Sequence, residues 1–196
     1  MKTKNLIVML SLFSVCALSA QEARYEIKSA VISKVIFDAL GQRIEGVQYI
    51  DDYGEKESVS VNMPNFETVN TFSIIRTINS GNTVIKINMD DKTGQRNVLM
   101  EKPVNYLNIT QEVRAKYNIK EIGQEEIAGK LCDRYSMEYM QKQLRIIANT
   151  WVWKGIVLKS EYTDGAIYIT EIATDVNENV TVNRDNFVIP DDVIMQ

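Results

Sequence analysis

The residues best placed to do proton chemistry are adjacent acids: Asp51-Asp52, Asp90-Asp91, Glu125-Glu126 and Asp191-Asp192. Two facing carboxylates are enough for glycoside hydrolysis. These pairs, however, fall in turn-forming stretches, where an acidic side chain bonds to nearby backbone amides. None has the spacing of a calcium loop. The chain contains no histidine. That excludes a Ser–His–Asp or Cys–His nucleophile and a His-ligated zinc. Neither a phosphate-binding Gly-rich loop nor a dinucleotide fingerprint occurs. Cys132 has no His to activate it, and its type and setting suit a small packed side chain. The sequence therefore points away from an enzyme, with no catalytic residue, no metal and no cofactor expected.

Apolar side chains carry more of the signal. Trp151 and Trp153 lie two apart in Thr150-Trp151-Val152-Trp153-Lys154. On a strand they project from one face, where they make a large rigid apolar surface. They either anchor an ordinary core or border a hydrophobic groove. Phe72, Ile74, Tyr162 and Tyr168 are the other residues expected on such a lipid-binding surface. Met89, Met100, Met137 and Met140 lie in or beside strands, and flexible Met side chains suit both cores and adaptable acyl-chain sites.

These side chains need a scaffold, and the chain reads as mainly β. Turn signals recur at Leu40-Gly41, Asp52-Tyr53-Gly54, Ser80-Gly81-Asn82, Asp90–Gly94, Ala128-Gly129, Lys154-Gly155 and Asp164-Gly165. Short stretches rich in β-branched and aromatic residues separate them, the pattern of an antiparallel meander. Asp164-Gly165 predicts a two-residue type I′ hairpin. From Tyr25 the odd positions, Tyr25, Ile27, Val31, Val35 and Phe37, predict the buried face of the first strand. Leu131, Tyr135, Met137 and Tyr139 predict another, with Cys132 on the more polar side. Phe72–Ile78 and Leu144–Trp153 are apolar on both faces in part and belong centrally or under a cover. One segment is helical: Ile109, Val113 and Tyr117 share a face. Asn108 is placed to cap it and Gln111 to complete a capping-box-like pair.

Residues 1–20 have the layout of a secretory signal: Lys2 and Lys4, an apolar run from Leu6 to Leu18, and small Ala20 at the cleavage position. The run is short for a membrane span. Cys16 raises the alternative of a lipid-modified cysteine, which bulky Val15 before it suits poorly. Cleavage leaves residues 21–196 as a single domain with a lone cysteine, hence no internal disulfide. It also leaves no transmembrane segment. The whole chain carries 22 basic and 26 acidic residues, and loss of Lys2 and Lys4 makes the remainder more acidic. Without a basic cluster, no nucleic-acid partner is expected, because a net acidic chain repels phosphate backbones.

In order along the chain, YEIKSAVISKV, QYIDDYGEKE, GQEEIAGKLCDRY, TWVWKGIVLKSE and FVIPDDV resemble a family of small exported bacterial proteins of unassigned function. That family is similar to the outer-membrane lipoprotein carrier (LolA-like) superfamily. The resemblance implies a curved antiparallel sheet, an unclosed half-barrel, with a short covering helix and an inner cavity for acyl chains. It implies as partner a lipid or lipoprotein bound in the groove, in the periplasm or cell envelope or after secretion. The alternative is an envelope protein–protein interaction module with a filled core. No ligand-gripping residue of the carriers maps onto this chain.

Overall fold

The structure is a computed structural model that describes residues 23–64, 72–99, 103–141 and 143–196. The expected signal segment with Cys16, and Met100, lie outside the described residues. The strands are β1 (Ala30–Phe37), β2 (Arg43–Asp51), β3 (Lys56–Pro64), β4 (Phe72–Ser80), β5 (Thr83–Asn88) and β6 (Thr93–Val98), then β7 (Lys120–Ile127), β8 (Lys130–Gln141), β9 (Leu144–Trp153), β10 (Ile156–Thr163), β11 (Tyr168–Glu178) and β12 (Ile194–Met195). Helix α1 (Gln111–Tyr117) interrupts the series between β6 and β7.

All strands join one 12-stranded sheet in the order β12-β6-β5-β4-β3-β2-β1-β11-β10-β9-β8-β7. Neighbours are antiparallel except β12, which pairs in parallel with β6 at one edge. The other edge is β7, so the sheet is curved but does not close. Register shifts in β1–β11, β9–β10 and β7–β8 mark bulges. Each adds local twist, which helps so wide a sheet to curl. The expected mainly β half-barrel meander with one short helix is the architecture observed.

Two hairpin turns show why their glycines are there. Ala128-Gly129 and Lys154-Gly155 both have positive φ at the two central positions, the type I′ geometry that matches strand twist. Asp164-Gly165 departs from the prediction, because only Gly165 has positive φ. The Asp164 carboxylate instead accepts from the Ala166 and Ile167 amides at 3.0 and 2.9 Å, shaping a longer loop. At Gly155 a Cβ would lie 2.5 Å from the Arg24 carbonyl oxygen. The stretch before β1 therefore threads across the hairpin ends. Arg24 and Tyr25 amides donate to Tyr53 O at 3.1 and 3.2 Å, and the Glu26 amide donates to Lys154 O at 3.1 Å.

The main core gathers Tyr25, Ile27, Ile32, Ile50, Trp151 and Leu158, with Cys132 and Ile156 among them. The burial phase in β1 differs from the sequence pattern. Val35 is buried as expected, but so are Ala30, Ile32 and Lys34 on the other face, whereas Val31 and Ser33 are only partly so and Phe37 is exposed. Tyr25 and Ile27 do reach the core, but from the segment ahead of the strand. Cys132 also moves. It is fully buried while Leu131 is 62% exposed. Burial pushes its thiol pKa up to about 11, the state of an inert packed cysteine. A second cluster, Ile78, Ile85 and Ile87, is covered by Ile189 and Val193 of the C-terminal segment.

Candidate functional site

The helix marks the side of the sheet that matters. Its N-cap is Thr110, whose hydroxyl accepts from the Val113 amide at 3.3 Å, rather than Asn108. Asn118 closes it in the left-handed conformation (φ 46°), a position Asn tolerates well. The short helix makes few hydrogen bonds of its own, so its stability comes from docking. Val113 and Tyr117, with Val104, Tyr106 and Ile109 ahead of them, pack on Tyr135, Met137, Val152 and Val157. The Tyr117 and Tyr139 rings meet edge-on at 5.1 Å.

Beside this cover lies a cleft of about 400 Å³, within the size range of small-ligand sites. Val59, Val104, Tyr106, Met137 and Val157 supply its apolar wall. Tyr106 is fixed by Thr150, whose hydroxyl donates to the Tyr106 oxygen at 3.1 Å, and its ring packs 5.4 Å from that of Tyr135. Burial raises the Tyr106 phenol pKa, keeping it protonated and neutral.

The rest of the cleft wall is polar. Strand alternation and register put Lys34, Gln48, Glu57, Ser160 and Glu171 on one face, and all of them line the cleft with Arg24. Lys34 is only 6% exposed; its ammonium donates to Glu171 and, at 3.4 Å, to Val157 O. Glu57 accepts from Arg24 at 3.0 Å and from Gln48 Nε2. It also holds the Tyr25 hydroxyl, whose pKa is raised by burial first and by the Glu57 charge second. Gln48, 4% exposed, has no partner for Oε1 among the described residues.

The aromatic and aliphatic residues expected at a lipid surface do not assemble in this cleft. Trp151 is 2% exposed in the core. Its Nε1 donates to Glu125 at 2.7 Å, and its ring lies between the Lys159 ammonium and the Arg134 guanidinium, 4.0 and 4.9 Å from its centroid. Trp153 is half-buried between Lys130 and Lys154, which share Glu178. Phe72, Ile74 and Tyr168 are exposed, with Phe72 and Tyr168 opening β4 and β11. Tyr162 alone of the group lies on the helix-bearing face, close enough to raise the Tyr139 pKa together with burial. Sequence reasoning missed Lys34, Gln48, Glu57 and Glu171. The available signal was the lysine interrupting an apolar β1; its partner Glu171 lies diagonally across in β11, two residues from Ala173, which faces Lys34 in the register.

A larger hollow, about 500 Å³, lies on the opposite face around Ser33, Tyr49, Ser60, Asn62 and Arg76. Among the described residues no α-helix packs over it, although Arg76 on its rim donates to Asp185 O at 3.0 Å in a short 3-10 turn, Arg184–Phe187. Several exposed apolar residues also lie spread along one end of the sheet: Phe37 and Leu40 at the β1–β2 turn, and Phe72, Leu144 and Tyr168 at the starts of β4, β9 and β11.

No family model matches the chain, and no curated protein matches it in sequence. Solved structures do match in shape. An uncharacterized conserved protein from Thermus thermophilus superposes with a TM-score of 0.55 at 7% identity, over 87% of this chain and 92% of that one. The Pseudomonas aeruginosa MucA/MucB complex gives a TM-score of 0.52 at 14% identity, over 87% of this chain and 58% of the matched chain. This chain thus spans little more than half of that relative's length. LprF from Mycobacterium bovis is a looser match, with a TM-score of 0.41 at 8% identity over 87% of this chain and 92% of that one. At these identities the likeness concerns the fold alone: a broad, unclosed antiparallel sheet with a short helix docked on one face.

Proposed function

We propose that this is an exported envelope protein, delivered by residues 1–20, that binds the acyl portion of a lipid or lipoprotein in the cleft beside α1 and catalyses no reaction. The observation carrying this reading is the cleft itself: about 400 Å³, with one wall built of Val59, Val104, Tyr106, Met137 and Val157. Burial of a methylene gains roughly 0.8 kcal/mol, so a chain of about 14 carbons gains about 10 kcal/mol before ordering costs. The unclosed sheet with its docked helix and the sequence resemblance to the lipoprotein carriers support the same reading.

Native mass spectrometry of protein purified from its own envelope tests it. Copurifying lipid mass is expected, and Met137→Trp, which fills the apolar wall, should abolish it. Bare protein that also takes up no added acyl ligand would refute the proposal.

A second reading, docking of an envelope protein, is favoured by the exposed apolar residues at the strand ends. Under that reading Leu40→Asp with Phe72→Ser would abolish capture of the partner and leave lipid uptake unchanged.

A further inference from the structure

We infer that the cleft selects amphiphiles whose polar group is uncharged and hydrogen-bonding, such as an acylglycerol hydroxyl or an acyl amide. Ionised head groups, whether a fatty carboxylate or an alkylammonium, are disfavoured. This rests on the reading of the cleft as an acyl-ligand site and goes beyond it by naming the head group.

The argument starts from charge. The ionised side chains lining the cleft are Arg24, Lys34, Glu57 and Glu171, two of each sign. They are already matched in pairs, Lys34 with Glu171 and Arg24 with Glu57 at 3.0 Å. An entering carboxylate would have to draw a cation from its partner or lie desolvated without a counter-charge, and either is costly. An ammonium meets the converse problem. A bare hydrocarbon end is equally ill-suited, because it would strip water from Glu57, Lys34 and Gln48 and return no hydrogen bond.

What the polar wall has left is hydrogen-bonding capacity without net charge. Gln48 Oε1 is an unpartnered acceptor on a side chain that is almost wholly buried. Ser160 presents a hydroxyl and Arg24 has guanidinium donors beyond the one on Glu57. A hydroxyl or amide both donates and accepts, so it answers such a wall without altering its charge balance. The apolar wall opposite then takes the chain.

The test uses probes with the same alkyl length: monopalmitoylglycerol, palmitate and hexadecylammonium, titrated below their aggregation limits by calorimetry. Monopalmitoylglycerol is expected to bind at least about tenfold more tightly than either ion. Glu171→Gln keeps an acceptor for Lys34 but leaves the cleft one positive charge in excess. It should tighten palmitate about tenfold and change monopalmitoylglycerol less than about threefold. Arg24→Gln, on a partly exposed residue, should do the same for hexadecylammonium. Palmitate binding the unaltered protein as well as monopalmitoylglycerol would overturn the inference while the acyl site stood. So would Glu171→Gln moving all three probes alike. Failure of every probe to bind would remove the acyl site and the inference together.

Discussion

Lys34→Met removes the most deeply buried charge of the cleft and keeps an unbranched side chain of similar length. Lys34 is 6% exposed and Glu171 keeps 33% of its side chain in solvent. Breaking a fully buried ion pair by deleting one partner costs about 3–5 kcal/mol, because the other charge is stranded. Glu171 is only partly stranded, since water reaches it, so the expected loss is about 2 kcal/mol. The Val157 carbonyl, which loses its lysine donor at 3.4 Å, contributes within that figure. For a domain of this length the loss lowers Tm by about 4–8 °C. Lys34→Met with Glu171→Leu replaces both charges by apolar groups and should recover at least half of the loss, as removal of both members of a buried pair often does. Urea unfolding at neutral pH, followed by emission of the buried Trp151, gives all the free energies of the cycle, and their coupling should be about 1 kcal/mol or more. A single variant within about 0.5 kcal/mol of the parent, or a double variant no more stable than Lys34→Met, would show that the pair is not the polar anchor of this wall.

Gly155→Ala places a side chain at φ 84°, against the Arg24 carbonyl oxygen. It should cost about 2 kcal/mol in urea unfolding and loosen the segment ahead of β1 in hydrogen exchange. Thr110→Ala removes the helix N-cap and should cost about 1 kcal/mol, with faster amide exchange confined to α1 and the segment before it. Cys132 has its thiol pKa raised in the folded protein to about 11 from 9.0. A raised folded value gives stability that is full below pH 9 and lost as pH rises to about 11, and about 2–3 kcal/mol should disappear over that window. Cys132→Ala, itself less stable through the lost side chain, should show a shallower alkaline decline; an identical decline would assign the effect elsewhere. Trp151 does not line the cleft, so its emission should already be blue-shifted and should stay unchanged on acyl-probe binding. A ligand-induced shift that persists in Trp153→Phe would move the site.

The meander was legible because turn chemistry and β-branched composition are local properties. Ala128-Gly129 and Lys154-Gly155 form tight turns where their glycines signal them, and Val113 and Tyr117 hold the docked face that their spacing gives. The burial phase of β1 was not legible, and the reason is non-local. Alternation assigns Lys34 to solvent, yet Glu171, 137 residues along the chain, makes its burial tolerable. Ile32 and Ala30 on the same face then go inside with it. Cys132 and Leu131 exchanged places for a related reason: the polar side of β8 carries Arg134, which lies over Trp151, so that side is also core. A strand covered on both faces has no polar side for alternation to find. Composition groups Phe72, Ile74 and Tyr168 with the tryptophans, but register places Phe72 and Tyr168 at strand ends and Ile74 beside the hollow on the opposite face, and register is set by pairing across the whole sheet.

The cleft's polar wall also explains why the fold alone leaves the ligand open. A curved sheet with a docked helix encloses space, and dispersion and burial reward almost any alkyl chain that enters it. Discrimination has to come from groups whose desolvation is costly, since specificity is a difference between affinities. Here those groups are Arg24, Lys34, Gln48, Glu57 and Glu171, contributed by the segment ahead of β1 and by β1, β2, β3 and β11. Each sits on a different element, so the arrangement depends on the register of the central sheet and on the clamp at Tyr53 and Lys154. A substitution that merely enlarges the apolar wall, such as Val157→Ala, should therefore change affinity for all acyl probes together. A substitution that shifts register beside Lys34 should instead change the ranking among head groups, and comparing the two profiles by calorimetry separates capacity from selectivity. If Val157→Ala reordered the head groups, the division of the cleft into an apolar wall for the chain and a polar wall for the head would be wrong.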